Sequence, residues 1–319
     1  MADRFQFYPK GLVLRSCIRD TADAKHDPVS GELLLVSTEM IRTRMIQFRR
    51  LLFAGLCLTL FLGPGATAEE KQADKKDLPR LTVLSPLAVT PGTTTTLYLR
   101  GFNLDAVKDA ALLDAPAGSK IVLKSMGKAT NPKDDYAKRY GDTEVEIELS
   151  LPESYLPDSV DLTLTLSNSA KPLVQKVQVT PRATLVDERE PNGGFKAAQS
   201  IPSACVIRGA INEDKDVDVY RFSGKAGQTI RLEVFGERMG SMLDAAISLY
   251  DDRGHLLTTQ DDGPAGKDPV IQYKLSADGD YLIGVIDVSD RGGTRTHPYL
   301  LNVGLDSPVA PATDAPKAN

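Results

Sequence analysis

Two acidic segments hold the residues best placed to do chemistry. The first is Glu188-Arg189-Glu190-Pro191-Asn192-Gly193. The second is Asp214-Lys215-Asp216-Val217-Asp218-Val219-Tyr220-Arg221-Phe222. Tyr220 and Phe222 alternate as the inward face of a β-strand does, because side chains two apart share a face. Asp216 and Asp218 fall on that same face, where the strand begins. A carboxylate aimed towards a core is costly unless something pairs with it. Glu188 and Glu190 are themselves negative and cannot be that partner. A cation between the two segments resolves the conflict. Five carboxylates, on Glu188, Glu190, Asp214, Asp216 and Asp218, therefore predict a Ca²⁺ clasp at the edge of a β-sandwich. The metal-free alternative makes Glu190-Pro191-Asn192 a turn and lets Asp218 accept backbone N–H bonds.

Catalytic constellations are not expected, and the chain is read as a non-enzyme. His255 follows an Asp-Arg-Gly turn and His297 precedes Pro298, so both are predicted to be surface loop residues and not members of a triad. The sequence contains no Gly-x-Ser-x-Gly, His-Glu-x-x-His or Walker A pattern. Gly263-Pro264-Ala265-Gly266-Lys267 lacks the closing Ser/Thr. Asp251, Asp252, Asp261 and Asp262 could pair for glycoside chemistry, but their setting reads as hairpin turns. Cys205, flanked by Ala204, Val206 and Ile207, reads as a small buried hydrophobe.

The 319 residues have a formal net charge of −5. Residues 1–68 hold nine Lys/Arg and six Asp/Glu, so the rest carries 29 basic and 37 acidic side chains. That balance argues against nucleic acid as a partner, which calls for a basic footprint. Arg42, Arg44, Arg49 and Arg50 precede the apolar run Leu51 to Leu62. Gly63-Pro64-Gly65 breaks the run, and Ala66-Thr67-Ala68 stands before Glu69. This is the pattern of a secretory signal peptide. The run is well short of the ~20 residues that a spanning helix needs. Residues 40–68 are accordingly read as a cleaved leader. Residues 1–39 are read as an artefact of start assignment or a disordered extension, with translation beginning at Met40 or Met45. Cleavage leaves a secreted or periplasmic protein with no membrane segment and Cys205 as its one cysteine.

The elements that must position the acids are strands. Residues 69–79 read as a charged linker. Within 80–182, Val145, Ile147, Leu149 and Leu151 alternate with Glu144, Glu146, Glu148 and Ser150. Leu162, Leu164 and Leu166 alternate with Thr163 and Thr165. Such strands have one dry and one wet face, and about seven of them predict an antiparallel sandwich. The segment 128–142 interrupts the rhythm and reads as a solvated loop with a helical turn, Tyr136 and Tyr140 being its exposed aromatics. Residues 183–305 give eight further strand candidates, from Cys205–Gly209 to Tyr299–Val303, separated by Gly- and Asp-rich turns. The tail 306–319 is Pro- and Ala-rich and reads as disordered. The fold class is all-β, two β-sandwiches in tandem, the first immunoglobulin-like and the second jelly-roll-like.

Two resemblances sharpen this. Ser85-Pro86-Leu87-Ala88-Val89-Thr90-Pro91-Gly92, followed by Leu99-Arg100-Gly101-Phe102-Asn103-Leu104, resembles the opening of IPT/TIG-type immunoglobulin-like domains, which implies a spacer or binding role. In the second half Glu190-Pro191-Asn192, Gly209, Asp216 to Phe222, Ala226-Gly227, Leu243-Asp244, Leu249-Tyr250-Asp251, Gly254, Asp261-Asp262, Gly279-Asp280-Tyr281 and Tyr299-Leu300-Leu301 fall in order. This resembles the bacterial pre-peptidase C-terminal (PPC) domain, the family that includes the collagen-binding modules of clostridial collagenases. The resemblance spans Asp187 to Gly304. It implies a compact sandwich on a secreted protein, and Ca²⁺ held between an N-terminal acidic segment and the aspartates at a strand's start. Residue by residue, Glu188, Glu190 and Asn192 match the first ligand group and Asp218 the second. The chain departs from the collagenase modules at Gly193, where they carry an acid, and at Lys215, where they carry a ligand aspartate. Asp214 or Asp216 is the candidate substitute.

Sequence alone therefore predicts a secreted, non-catalytic binding protein that recognises an extracellular polymer or protein. The alternative is an accessory partner of a separate secreted peptidase or hydrolase. With no Trp in the chain, strong stacking on sugars is disfavoured.

Overall fold

The strict alternation of Val145 to Leu151 and of Leu162 to Leu166 becomes strand. The computed structural model describes residues 78–306, save 115, 131–133 and 265. The leader, residues 1–39, most of the linker and the tail beyond 306 lie outside the described residues. The strands of the first half are β1 (Arg80–Ser85), β2 (Ala88–Val89), β3 (Thr94–Phe102), β4 (Val107–Leu112), β5 (Lys120–Lys128), β6 (Thr143–Ser150), β7 (Ser159–Leu166) and β8 (Leu173–Val179). They form two four-stranded sheets, ordered β1-β3-β6-β5 and β2-β8-β7-β4. Leu97 and Leu99 of β3, Ile147 and Leu149 of β6, and Leu162 and Leu164 of β7 fill the space between the sheets and are at most 1% exposed. Each such side chain contributes about 1.5–3 kcal/mol by leaving water. One helix, α1 (Asp134–Tyr140), occupies the segment read as a solvated loop. Behind it the buried Arg100 guanidinium donates to Gly141 O at 3.1 and 2.9 Å and to Thr130 O at 2.9 Å, anchoring both ends of the segment.

The second half supplies β9 (Leu185–Asp187), β10 (Gln199–Ser200), β11 (Cys205–Ala210), β12 (Val217–Gly224), β13 (Thr229–Phe235), β14 (Ala245–Asp251), β15 (Leu256–Gln260), β16 (Val270–Lys274), β17 (Gly279–Asp287) and β18 (Pro298–Asp306). Two five-stranded sheets result, ordered β16-β13-β18-β11-β9 and β10-β12-β17-β14-β15. Their facing sides hold Ile207, Tyr220, Phe222, Leu232, Ile247, Ile283 and Leu301 in one core. The architecture is all-β, with sheets packed as sandwiches in both halves.

Three short strands depart from the antiparallel expectation. β2 pairs parallel with β8, β9 with β11, and β10 with β12. Strand structure therefore resumes at Leu185, not at Cys205, and the segment carrying Glu188 is tethered to the sheet on the side next to β11. The sandwiches also touch each other. Leu87, Ala88 and Leu300 form a small buried cluster with Val206, Phe235 and Met239 against it. Together the two make one compact unit.

Candidate metal centre

Asp218 is the first inward residue of β12, and the strand's period of two sets it beside Tyr220 and Phe222. All three are at most 1% exposed. Asp218 Oδ2 accepts from the Tyr299 hydroxyl of β18 at 2.6 Å. The Tyr299 and Tyr220 hydroxyls lie 2.5 Å apart, continuing the chain of hydrogen bonds into the core. Burial holds both phenols well above their ordinary titration range, so they remain donors. Asp218 Oδ1 is buried and accepts from no N–H or hydroxyl among the described residues; the other group beside the Asp218 carboxyl is the Glu188 carboxyl.

Glu188 and Glu190 reach this carboxylate from the chain that leaves β9. The Glu188 N–H donates to Arg208 O at 3.1 Å, extending the parallel β9–β11 pairing by one bond. Its Oε2 accepts from Ala210 N at 2.7 Å and its Oε1 from Asn192 Nδ2 at 3.2 Å. Gly209 makes the approach possible. A Cβ there would lie 2.7 Å from the Tyr299 ring and 2.8 Å from Glu188 Oε2. Glu190 Oε2 accepts from Asn192 N at 2.9 Å, and its Oε1 from Asn212 Nδ2 at 3.2 Å. One carboxylate oxygen each from Glu188, Glu190 and Asp218 lie within 4.8 Å of one another. Asn192 is fully buried. Its carbonyl accepts from Val219 N at 3.2 Å, while its Oδ1 has no partner.

The other two acids of the sequence reading do not join this group. Lys215 adopts a left-handed conformation (φ 65°) in the turn before β12, and its N–H donates to Asp290 O. That turn points the Asp216 carboxylate at backbone donors, Oδ1 at Val217 N (2.8 Å) and Oδ2 at Asn212 N (2.7 Å). Asp214 Oδ1 accepts from Gly292 N at 3.3 Å. Among the described residues, the carboxylates that converge within 4.8 Å are those of Glu188, Glu190 and Asp218, while Asp214 and Asp216 accept from backbone N–H groups of a turn and a neighbouring loop.

Electrostatically the cluster is under pressure. Burial first, and the neighbouring Glu188 second, push the Asp218 carboxyl far above the usual carboxylate range. Burial likewise raises Glu188. Two carboxylates at this depth cannot both ionise without a compensating charge. A shared proton provides it in the absence of a cation, a solution the sequence reading did not include. The groups that reasoning missed are Tyr299 and Gly209 in their roles at the cluster. The ordered motif marked both positions, but only the β11–β18 pairing, Gly209 opposite Tyr299, shows why they matter.

Elsewhere, His297 is 2% exposed, with Nδ1 3.0 Å from Thr296 Oγ1, and is not the surface residue expected. It lies, as expected, in the loop immediately before β18, and Ile211 N bonds to its carbonyl. His255 is exposed and pairs with Asp251, whose carboxylate caps the turn as read. Burial pushes the Cys205 thiol up to about 11, leaving it inert.

A probable subtilase-type serine protease of Deinococcus radiodurans is 37% identical to this chain over 103 residues, covering 31% of this chain and 14% of the protease. The chain thus spans about 14% of the length of that curated relative. Among solved structures, the pre-peptidase C-terminal domain of a Bacillus anthracis collagenase is similar at 18% identity, covering 33% of this chain and 93% of that one, with a TM-score of 0.27. PliG of Aeromonas hydrophila, a periplasmic inhibitor of g-type lysozyme, is similar at 24% identity, covering 39% of this chain and 96% of that one, with a TM-score of 0.27. Residues 216–287, from the turn before β12 to the end of β17, match the family model of the bacterial pre-peptidase C-terminal domain and are identified on that match as such a domain.

Proposed function

We propose that this chain is an exported, non-catalytic binding protein whose second sandwich is steadied by Ca²⁺ and whose ligand is an extracellular polymer or protein. The family match over residues 216–287 carries the binding-module reading. The first sandwich, with its IPT/TIG-like opening, serves as spacer or second binding face. Export follows from the leader pattern of residues 40–68. Among the described residues no helix is long and apolar enough to cross a membrane. Mass spectrometry of secreted material should find an N-terminus near Glu69, and a dominant species retaining residues 51–62 would sink the leader reading.

The calcium part is supported by two buried oxygens that accept from no protein donor, Asn192 Oδ1 and Asp218 Oδ1, beside the converged Glu188 and Glu190; a proton shared by Glu188 and Asp218 serves only the second of them. Unsatisfied buried oxygens are costly, and a hard cation is the species that oxygens alone satisfy. Ca²⁺ takes six to eight of them. Two glutamates, one amide and one aspartate supply four oxygens at one each, and solvent water supplies the rest. These residues fit the ion, and its part is to neutralise the cluster and fix the Glu188–Asn192 segment to β12.

The test is retention of the purified chain, with and without Ca²⁺, on defined extracellular polymers and on secreted proteins from its own source. Calcium-dependent retention on one of them is expected. Failure on every one, together with turnover of a peptide or glycoside panel, would overturn the reading. The second reading, an accessory partner of a separate peptidase, draws on the Deinococcus protease, in which the similar segment shares a chain with a protease. Calcium-dependent capture of a peptidase and of no polymer would favour it.

A further inference from the structure

We propose that Asn192-Gly193 is a self-modifying site, at which Asn192 deamidates without an enzyme to aspartate and isoaspartate, and that the product is barred from refilling the place the asparagine held. The proposal stands apart from the calcium reading, because its chemistry needs only this chain and water.

Gly193 is the first ground. Deamidation begins when the backbone nitrogen of the following residue attacks the asparagine side chain, and a side chain on that residue hinders the approach. Gly193 is exposed, and its N–H donates to no acceptor among the described residues. The fold does not require glycine there. Its φ lies outside the left-handed region, and a Cβ would meet only Val217 O at 3.5 Å. The consequence of the missing side chain is an open nitrogen beside Asn192.

Asn192 is the second ground. An amide side chain offers two donors and a carbonyl with two lone pairs. Asn192 Nδ2 makes one bond, to Glu188 Oε1 at 3.2 Å, and Oδ1 makes none, although the residue is fully buried. A buried polar group short of partners is costly, so swinging this side chain outward forfeits little and relieves an unpaired oxygen. Its main chain bonds Glu190 Oε2 through N–H at 2.9 Å, and its carbonyl accepts from Gly194 N at 2.7 Å and Val219 N at 3.2 Å. Glu190 and Gly194 belong to the same connecting stretch, so the Val219 bond is the one that ties this main chain to β12. Opening it is a local event that leaves the core intact.

In the opened segment the Gly193 nitrogen gives its proton to solvent base and bonds to Asn192 Cγ. The Cγ–Nδ2 bond breaks, and the nitrogen leaves as ammonia with a proton taken from water. A succinimide ring remains. Water then adds to either ring carbonyl. Attack at Cγ yields aspartate, and attack at the main-chain carbonyl yields isoaspartate. One water is consumed and one ammonia is released, with no change of oxidation state. Neither product fits the old place. The new carboxylate has no N–H for Glu188, so an oxygen faces Glu188 Oε1 where a donor stood. Isoaspartate also routes the main chain through Cβ and Cγ, which takes the carbonyl bonded by Val219 N out of the peptide.

The experiment holds the full chain in EDTA at mildly alkaline pH beside Gly193→Val, whose β-branched side chain shields the nitrogen. Trypsin then frees Asn192 in the peptide Glu190–Lys196, which is followed by mass spectrometry. The peptide should gain the mass difference between an amide and an acid and split into two forms on chromatography. Asn168, exposed and followed by Ser169, is the internal control and should convert more slowly. Gly193→Val should slow conversion at Asn192 about tenfold or more. Should that variant fail to fold, Gly193→Ala replaces it, again with slower conversion expected. An unchanged mass at Asn192 when Asn168 has converted, or equal rates with and without the side chain at 193, overturns the site. Converted protein, separated by anion exchange on its added negative charge, should melt below the unconverted chain. Equal melting overturns the claim that the product is barred from the asparagine's place.

Discussion

Asp218 offers the sharpest test, because its protonation and its cation compete for the same oxygen. Without Ca²⁺ its carboxyl is pushed up to about 10, chiefly by burial. The folded value lies above the unfolded one, so the protonated form is favoured by folding. Its contribution is complete below the unfolded value near 4 and is lost as pH rises towards the folded value. In EDTA, stability should therefore fall between about pH 5 and pH 9, with a slope of at most about 1.4 kcal/mol per pH unit for one proton. Ca²⁺ requires the ionised carboxylates, so its affinity rises over the same window. An ion bound only to the folded form at a hundredfold excess adds about 2.7 kcal/mol. For a unit of this size each kcal/mol moves the Tm by about 2–4 °C, which makes the calcium increment roughly 5–10 °C. The assay is the melting temperature at several pH values in EDTA, Mg²⁺ and Ca²⁺. Asp218→Asn should flatten the EDTA profile and abolish the Ca²⁺ increment, whereas Asp251→Asn, which alters only a turn, should leave the increment in place. Mg²⁺ should do less than Ca²⁺, since it keeps its waters and demands a tight octahedron. Identical melting in all three media, with a flat EDTA profile, would refute both the trapped proton and the cation.

Gly209→Ala forces a Cβ into the Tyr299 ring and Glu188, and should destabilise the chain by about 1–3 kcal/mol in urea unfolding; an unchanged midpoint would contradict the packing around the clasp. Gly193→Asp restores the acid that the collagenase modules carry at this position, and a Cβ there meets only Val217 O at 3.5 Å. Calorimetry should show tighter Ca²⁺ binding than in the unsubstituted chain, and equal or weaker binding would remove position 193 from the clasp. Residues 69–182 and 183–319 should each melt cooperatively as separate fragments, because each contains its own core; if neither does, the boundary at 182/183 is misplaced.

Much of the architecture is local information. Val145, Ile147 and Leu149 declare a half-buried strand because side chains in a strand repeat every two residues, and the same rule places Asp218 with Tyr220 and Phe222. The two- and three-residue strands β2, β9 and β10 escape that rule. They are too short to show a period and exist because longer strands beside them offer unpaired backbone groups. Asp214, Asp216 and Asp218 look equivalent as an alternating series. Which one reaches the cluster depends on the left-handed turn at Lys215, which ends the alternation just before β12 and commits Asp216 to two backbone N–H groups. His297 reads as a loop residue beside proline and is buried, because burial is decided by what packs over a residue and not by its neighbours in sequence. The composition and spacing of the acids were enough to call for a compensating charge. Only the tertiary structure set Glu188 against Asp218, thirty positions away in the chain. It did so through the parallel β9–β11 pairing and the missing Cβ of Gly209, and with that distance closed, a proton became as able as a cation to supply the charge.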